Sequence, residues 1–181
     1  MSCELLVTDA GPLIALAVAA VLPLVLKRFK LTVPQAVLDE CVNDAFAPGA
    51  TQIAQTLKSV KPPRLIIIPS ERLLPLDEAY SKGLGSGEVA VLSYAAQHQL
   101  TALVDDRRAR RVAGRLKVPV VGSGAILLAL KSQGLLVSIA PALAAWAKHG
   151  YFVSPQLTAE LLARAGEVKP ALPAAGPAPP N

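Results

Sequence analysis

The chain has 181 residues, 52% of them hydrophobic and 17% charged, which leaves room for one domain with a substantial core and excludes a largely disordered chain. Its net charge of +5, from 18 Lys and Arg against 13 Asp and Glu, is a modest excess that favours an anionic partner without defining one. The two cysteines, Cys3 and Cys41, are too few for a disulfide framework and lack zinc-ligand spacing, so a reducing cytoplasm suits them.

Short apolar runs alternate with helical ones, the pattern of an α/β layered domain around a mostly parallel sheet. Glu4–Thr8 reads as a first strand that stops at Asp9-Ala10-Gly11-Pro12. The stretch 10–26 carries no charge over 17 residues. It is short for a membrane span, Pro12 and Pro23 interrupt it, and Glu4 and Asp9 precede it where a secretory signal wants Lys or Arg. It reads as a buried strand-to-helix passage, with a helix apolar nearly all round after the turn, in a soluble, cytoplasmic protein. A short strand follows at 31–33, then a helix over 35–46 behind Pro34.

A helix-compatible stretch at 51–60 lies among Pro48, Gly49, Pro62 and Pro63, and Leu65–Ile68 is a β-branched strand closed by Pro69. A loop through Gly83, Gly85 and Gly87 leads into a helix over 88–97. A strand at 102–104 ends at Asp105-Asp106, a basic helix runs to about Leu116, and 118–121 is the last strand. Helices at 125–133, 141–148 and 155–165 each end at a glycine, Gly134, Gly150 and Gly166, the usual stop signal. Residues 1–166 are therefore read as one domain, and the proline- and alanine-rich 167–181 as a disordered tail.

The chemistry rests on carboxylates delivered by separate elements. Asp9 stands at the C-terminal end of the first strand, where open α/β sheets place their ligands. Asp105 and Asp106 stand at another strand end. Neighbours there point to opposite sides, so one of the two faces the cleft and the other suits the N-cap of the next helix. Glu88 shares a helix face with Leu92, Ala95 and Ala96, and a charge on an apolar face needs a partner or a metal. In the first turn it also complements the helix dipole. Glu40 flanks the apolar stripe of its helix. Such an acid set suits the hard cations Mg²⁺ and Mn²⁺, which prefer carboxylate and water oxygens and activate water for phosphodiester hydrolysis. Six basic residues crowd 107–117, beside the Asp pair, as an enzyme acting on a polyanion would require.

Other catalytic sets are missing. His98 and His149 have no partner at metal spacing, the Gly83–Gly87 loop lacks a GK[ST] ending, and no G-x-S-x-G elbow occurs.

The run Val7-Thr8-Asp9-Ala10-Gly11-Pro12-Leu13-Ile14-Ala15-Leu16 resembles the opening signature of PIN domains. Val33-Pro34-Gln35-Ala36-Val37-Leu38-Asp39-Glu40 is similar to their second block and Gly85-Ser86-Gly87-Glu88-Val89-Ala90 to their third. Leu103-Val104-Asp105-Asp106-Arg107-Arg108-Ala109-Arg110 and Val120-Val121-Gly122-Ser123 are similar to the fourth and fifth. The likeness is nearest to a prokaryotic branch related to VapC-type toxins.

The resemblance implies a three-layer α/β/α sandwich, Mg²⁺- or Mn²⁺-dependent endoribonuclease activity, frequent dimerisation, and pairing with a small antitoxin in toxin–antitoxin modules. It implies catalytic roles for Asp9, Glu40, Glu88, Asp105 and Asp106, with Asp9, Glu88, Asp105 and Asp106 as metal ligands. Ser123, Arg107, Arg110 and Arg111 are expected to contact substrate. The third acid departs from the toxin pattern, being Glu88 where an aspartate is usual. The alternative reading is a catalytically silent PIN-like RNA-binding or scaffold protein. Aromatics are only 4% of the chain, so base stacking is not expected to dominate recognition.

Overall fold

Five apolar runs extend into strands: β1 (Glu4–Thr8), β2 (Phe29–Pro34), β3 (Leu65–Ile68), β4 (Thr101–Leu103) and β5 (Val120–Val121). In the computed structural model, which describes residues 4–59 and 64–167, they form one sheet in the order β3-β2-β1-β4-β5. Every pairing is parallel, with Val7 opposite Thr32 on one side and Ala102 on the other. Leu6, Val7 and Thr8 are all buried, as a central parallel strand covered on both faces must be. Helices complete a three-layer α/β/α arrangement.

The helices are α1 (Ala10–Val18), α2 (Leu22–Arg28), α3 (Gln35–Val42), α4 (Ala50–Ser59), α5 (Glu78–Ser81), α6 (Ser86–His98), α7 (Arg107–Arg115), α8 (Ser123–Ser132), α9 (Ala140–Lys148) and α10 (Pro155–Arg164). The apolar stretch expected as one buried helix is two, α1 and α2, meeting at 113°. Proline has no N–H and is tolerated only in a first helical turn. Pro23 occupies that place in α2, and Ala20 takes a left-handed conformation at φ 56° to make the corner. Among the described residues no single helix is long and apolar enough to cross a membrane.

Two other boundaries move. Helix α3 stops at Val42 instead of reaching Phe46, because the Asp44 side chain accepts the Phe46 N–H at 2.9 Å and closes a turn. Helix α6 starts two residues before Glu88, so Glu88 is its third residue. The loop ahead of α6 contains the unexpected α5 and a 3₁₀ turn at Ser70–Arg72.

Trp146 of α9 is fully buried, and its indole N–H donates to Ala15 O at 2.7 Å, tying α9 to α1. Glu167, placed by sequence in the tail, belongs to the folded domain. It accepts from Lys131 Nζ at 2.6 Å, Ser138 Oγ at 2.6 Å, Ile139 N at 2.7 Å and Ala140 N at 3.0 Å. Cys3 and the rest of the expected tail lie outside the described residues.

Candidate active site

In an all-parallel sheet every strand ends on the same edge, and ligands gather where the strand order reverses. Here the chain winds outward from β1 through β2 to β3 and then returns to β4 on β1's other side. The cleft over β1 and β4 is that switch point, and Asp9 and Asp105 follow those two strands.

Asp9 is the N-cap residue of α1, yet its side chain makes no capping bond, while its N–H donates to Leu103 O at 3.1 Å. It is 8% exposed. Its carboxyl is raised to about 6, first by burial and then, against the lowering effect of the Ala10 N–H, by the charges of Glu88, Glu40 and Asp105. Four acids from β1, α3, α6 and β4 therefore share one electrostatic site.

Glu40 reaches the site from α3 and Glu88 from α6, and Gly87 is what lets these helices meet. A β-carbon on Gly87 would lie 3.2 Å from Glu40 Oε2, 3.2 Å from Val37 Cγ2 and 3.6 Å from Asp9 Oδ1. Glu88 is half-buried and its Oε2 accepts the Gly85 N–H at 2.7 Å, half of a capping box. It thus satisfies its helix terminus and adds charge to the cluster together.

The Asp pair separates. Asp105 faces the cleft, where its Oδ1 accepts Ser123 N at 3.0 Å and its Oδ2 accepts Ser123 Oγ at 2.5 Å and the Tyr151 hydroxyl. Asp106 turns away and is exposed; its Oδ1 accepts the N–H groups of Arg108 at 2.7 Å and Ala109 at 2.9 Å and caps α7. The member of the pair whose charge raises Asp9 is Asp105. Asp106, expected among the metal ligands, is thus placed at the start of α7, while Asp105 is the member of the pair turned toward Asp9.

Ser123, expected at the substrate, is placed behind Asp105. It is 1% exposed and spends both its N–H and its hydroxyl on Asp105, so it orients that acid and is not open to a substrate. A β-carbon on Gly122 would stand 2.7 Å from Asp105 Oδ1, which is why glycine precedes it.

Among the expected phosphate contacts, Arg107 and Arg111 are exposed. Arg110 folds back to donate to Val104 O at 3.0 Å. Arg108 donates to Lys82 O at 3.0 Å and lies across Gly83, and Arg115 covers the Tyr80 ring at 4.7 Å. The basic stretch is thus partly scaffolding that holds the loop before α6 and the end of β4.

Tyr151 was missed by sequence reasoning. It follows Gly150, the left-handed stop of α9, packs against Trp146 at 5.4 Å between ring centroids, and reaches Asp105 from 46 residues away. Burial, followed by the Asp105 charge, holds its phenol far above the ordinary range, so it remains a donor. No local signal marks such a contact.

Among the described residues no three His, Cys, Asp or Glu side chains close tightly enough to ligate one ion together. The donors present are oxygens. The neighbouring Cys41 thiol is pushed up to about 12 by burial, then by Glu40 and Asp9, which removes it as a ligand. His98 stacks on Tyr94 at 4.2 Å. The set fits a hard cation that keeps much of its water, as Mg²⁺ does, and fits no soft-metal site.

A parallel α/β sheet with four carboxylates over its switch point has its candidate site where open α/β folds gather their ligands. The PIN-domain family profile matches residues 5–167, and the chain belongs to that family. PIN domains are generally nucleases and typically use divalent metals. The chain is similar to a solved PilT N-terminus domain protein from the hyperthermophilic archaeon Sulfolobus solfataricus P2, with 12% identity, a TM-score of 0.44, and coverage of 70% of this chain and 92% of that one. No curated protein matches the chain.

Proposed function

We propose that this protein is a Mg²⁺- or Mn²⁺-dependent endoribonuclease. The observation that carries the reading is the site around Asp9: a buried carboxyl raised to about 6, with Glu88, Glu40 and Asp105 all adding to the shift. Like charges gathered in a cleft destabilise the empty site, and a divalent cation removes that cost. Asp9, Glu88 and Asp105 would hold the ion, with Glu40 beside them. When bound, the ion supplies Lewis-acid polarisation of a phosphoryl oxygen and lowers the pKa of water.

The chain's own groups do the rest. Ser123 and Tyr151 fix the rotamer of Asp105. Gly87 brings Glu40 toward Asp9. The exposed Arg107 and Arg111 attract the phosphate backbone of RNA, single-stranded or structured, so binding is salt-sensitive. A role as the toxin of a toxin–antitoxin pair, with a small antitoxin partner, a homodimeric state and a cytoplasmic setting, is supported by the family resemblance alone and belongs to the same proposal. The second reading, a silent RNA-binding module, is favoured by one observation: no three ligands are preassembled among the described residues.

The test is incubation of the purified protein with single-stranded RNA and Mg²⁺ or Mn²⁺, beside Asp9→Asn and Glu88→Gln. Metal-dependent cleavage lost in both variants supports the enzyme. RNA binding without cleavage, unchanged by EDTA, supports the silent module.

A further inference from the structure

An ionised carboxylate offers about four lone-pair positions, two on each oxygen. On Asp105 three are taken. Oδ1 accepts Ser123 N at 3.0 Å, and Oδ2 accepts both Ser123 Oγ at 2.5 Å and the Tyr151 hydroxyl. One position remains, on Oδ1. Asp105 can therefore give a cation one bond and cannot chelate it through both oxygens.

The Tyr151 side chain is built into place. Its ring packs on buried Trp146, and Cε2 would lie 3.9 Å from a β-carbon on Gly11, two residues after Asp9. The tyrosine thus stands between the ends of β1 and β4 without belonging to either.

Cations differ in what they ask of a carboxylate. Mg²⁺ demands near-ideal octahedral geometry and takes one or two carboxylates while retaining water. Ca²⁺ takes six to eight oxygens and accepts bidentate carboxylates. We infer that Tyr151 is a positioning residue that sets the cation preference of the site, by closing Oδ2 of Asp105 and so favouring a small octahedral ion over a larger one. The inference rests on the metal-binding reading above. It adds a residue from the connection between α9 and α10, outside the five sequence blocks, to the determinants of that site.

The experiment is calorimetric titration of the full chain with MgCl₂ and separately with CaCl₂, for wild type, Tyr151→Phe and Ser123→Ala. Phenylalanine keeps the packing on Trp146 and opens one position on Oδ2. Alanine at 123 opens the other while keeping the backbone donor. The expected result is a rise of about tenfold in the Ca²⁺/Mg²⁺ affinity ratio for Tyr151→Phe, the scale on which outer partners of metal ligands act, and a shift in the same direction for Ser123→Ala. Loss of packing alone would weaken both ions together and leave the ratio where it was. An unchanged ratio in folded Tyr151→Phe, with wild type binding Mg²⁺, overturns the inference and spares the proposed function. If Tyr151→Phe does not fold, the Ser123→Ala ratio decides: a rise supports the closure of Oδ2, and no change overturns it. Wild type that binds neither ion, even at an Asp9-dependent site, removes the metal reading itself and this inference with it.

Discussion

Gly87 and Glu40 approach so closely that a single added methyl would touch the acid: a β-carbon on Gly87 would lie 3.2 Å from Glu40 Oε2. Helix α6 carries Gly87 and α3 carries Glu40, so this contact sets the spacing of two of the four acid-bearing elements. Gly87→Ala gains helix propensity of about 1 kcal/mol, and crowding against Glu40 and Val37 costs about 1–3 kcal/mol. The expected net destabilisation is about 1 kcal/mol, read by denaturant unfolding. Cleavage should fall further than stability, by about tenfold in kcat/KM, because small misplacements of catalytic groups are expensive. A variant that cleaves as well as wild type would show that the position of Glu40 is unimportant.

Asp105 and Asp106 are neighbours with separate tasks, and paired substitutions distinguish them. Asp106→Ala removes two N-cap bonds to α7 and should cost about 1 kcal/mol of stability with RNA cleavage largely retained. Asp105→Asn should keep the fold and lose at least about a hundredfold in kcat. Equal loss of cleavage in both variants would contradict the assignment of Asp106 as a cap.

The sheet was legible because its signals are local: apolar runs of strand length, each closed by Asp, Gly or Pro. Leu65–Ile68 and Glu4–Thr8 appear with the predicted limits. The break at Ala20 was less legible, since the composition of 10–26 is uniformly apolar and only Pro23 marks the start of a second helix. Asp9 and Glu88 stand out in sequence by a strand end and an apolar face. The division of labour between Asp105 and Asp106 does not, because it depends on which carboxylate meets Ser123 across the β4–β5 edge. Tyr151 depends on α9 docking against α1 through Trp146, a tertiary event with no periodic trace.

The basic stretch divides into anchored and free arginines, and salt dependence separates them. Arg107→Ala and Arg111→Ala should each weaken RNA binding and reduce the slope of log affinity against log salt by about 1 when the residue meets a phosphate. Arg108→Ala removes a bond to Lys82 O and should leave the slope alone while loosening the loop before α6, as read by hydrogen exchange of 82–86. Identical slopes for all three variants and wild type would remove α7 from the RNA surface.

Glu167 closes the C-terminal end of the domain. Burial opposes its charge, but hydrogen bonds from Lys131, Ser138, Ile139 and Ala140 outweigh it and hold the carboxyl at about 2 instead of 4.5. A carboxyl depressed on folding contributes stability that is present above its unfolded value and lost as pH falls through the folded one. Glu167→Gln should therefore lower Tm by about 5 °C at pH 7, and the gap should close between pH 4.5 and 2. A gap that is independent of pH would assign the loss to packing.

Asp9 behaves in the opposite sense. Its folded carboxyl is raised from 3.8 to about 6, so the folded protein holds this proton more firmly than the unfolded chain does. Its contribution is fully present below pH 3.8 and is lost as pH rises through about 6. At pH 7.5 without metal, ionised Asp9 costs up to about 3 kcal/mol at 1.36 kcal/mol per pKa unit. Asp9→Asn removes that charge and should raise the Tm of the metal-free protein at pH 7.5 while leaving it nearly unchanged at pH 3.5. Adding millimolar Mg²⁺ should then raise the Tm of wild type, since a ligand bound only by the folded state stabilises it, and should have little effect on Asp9→Asn. The variant would be the more stable protein and the inactive one. A Tm for Asp9→Asn that falls below wild type at pH 7.5 in EDTA would mean that the carboxylate stabilises the empty fold, and the electrostatic case for a cation at this site would fail.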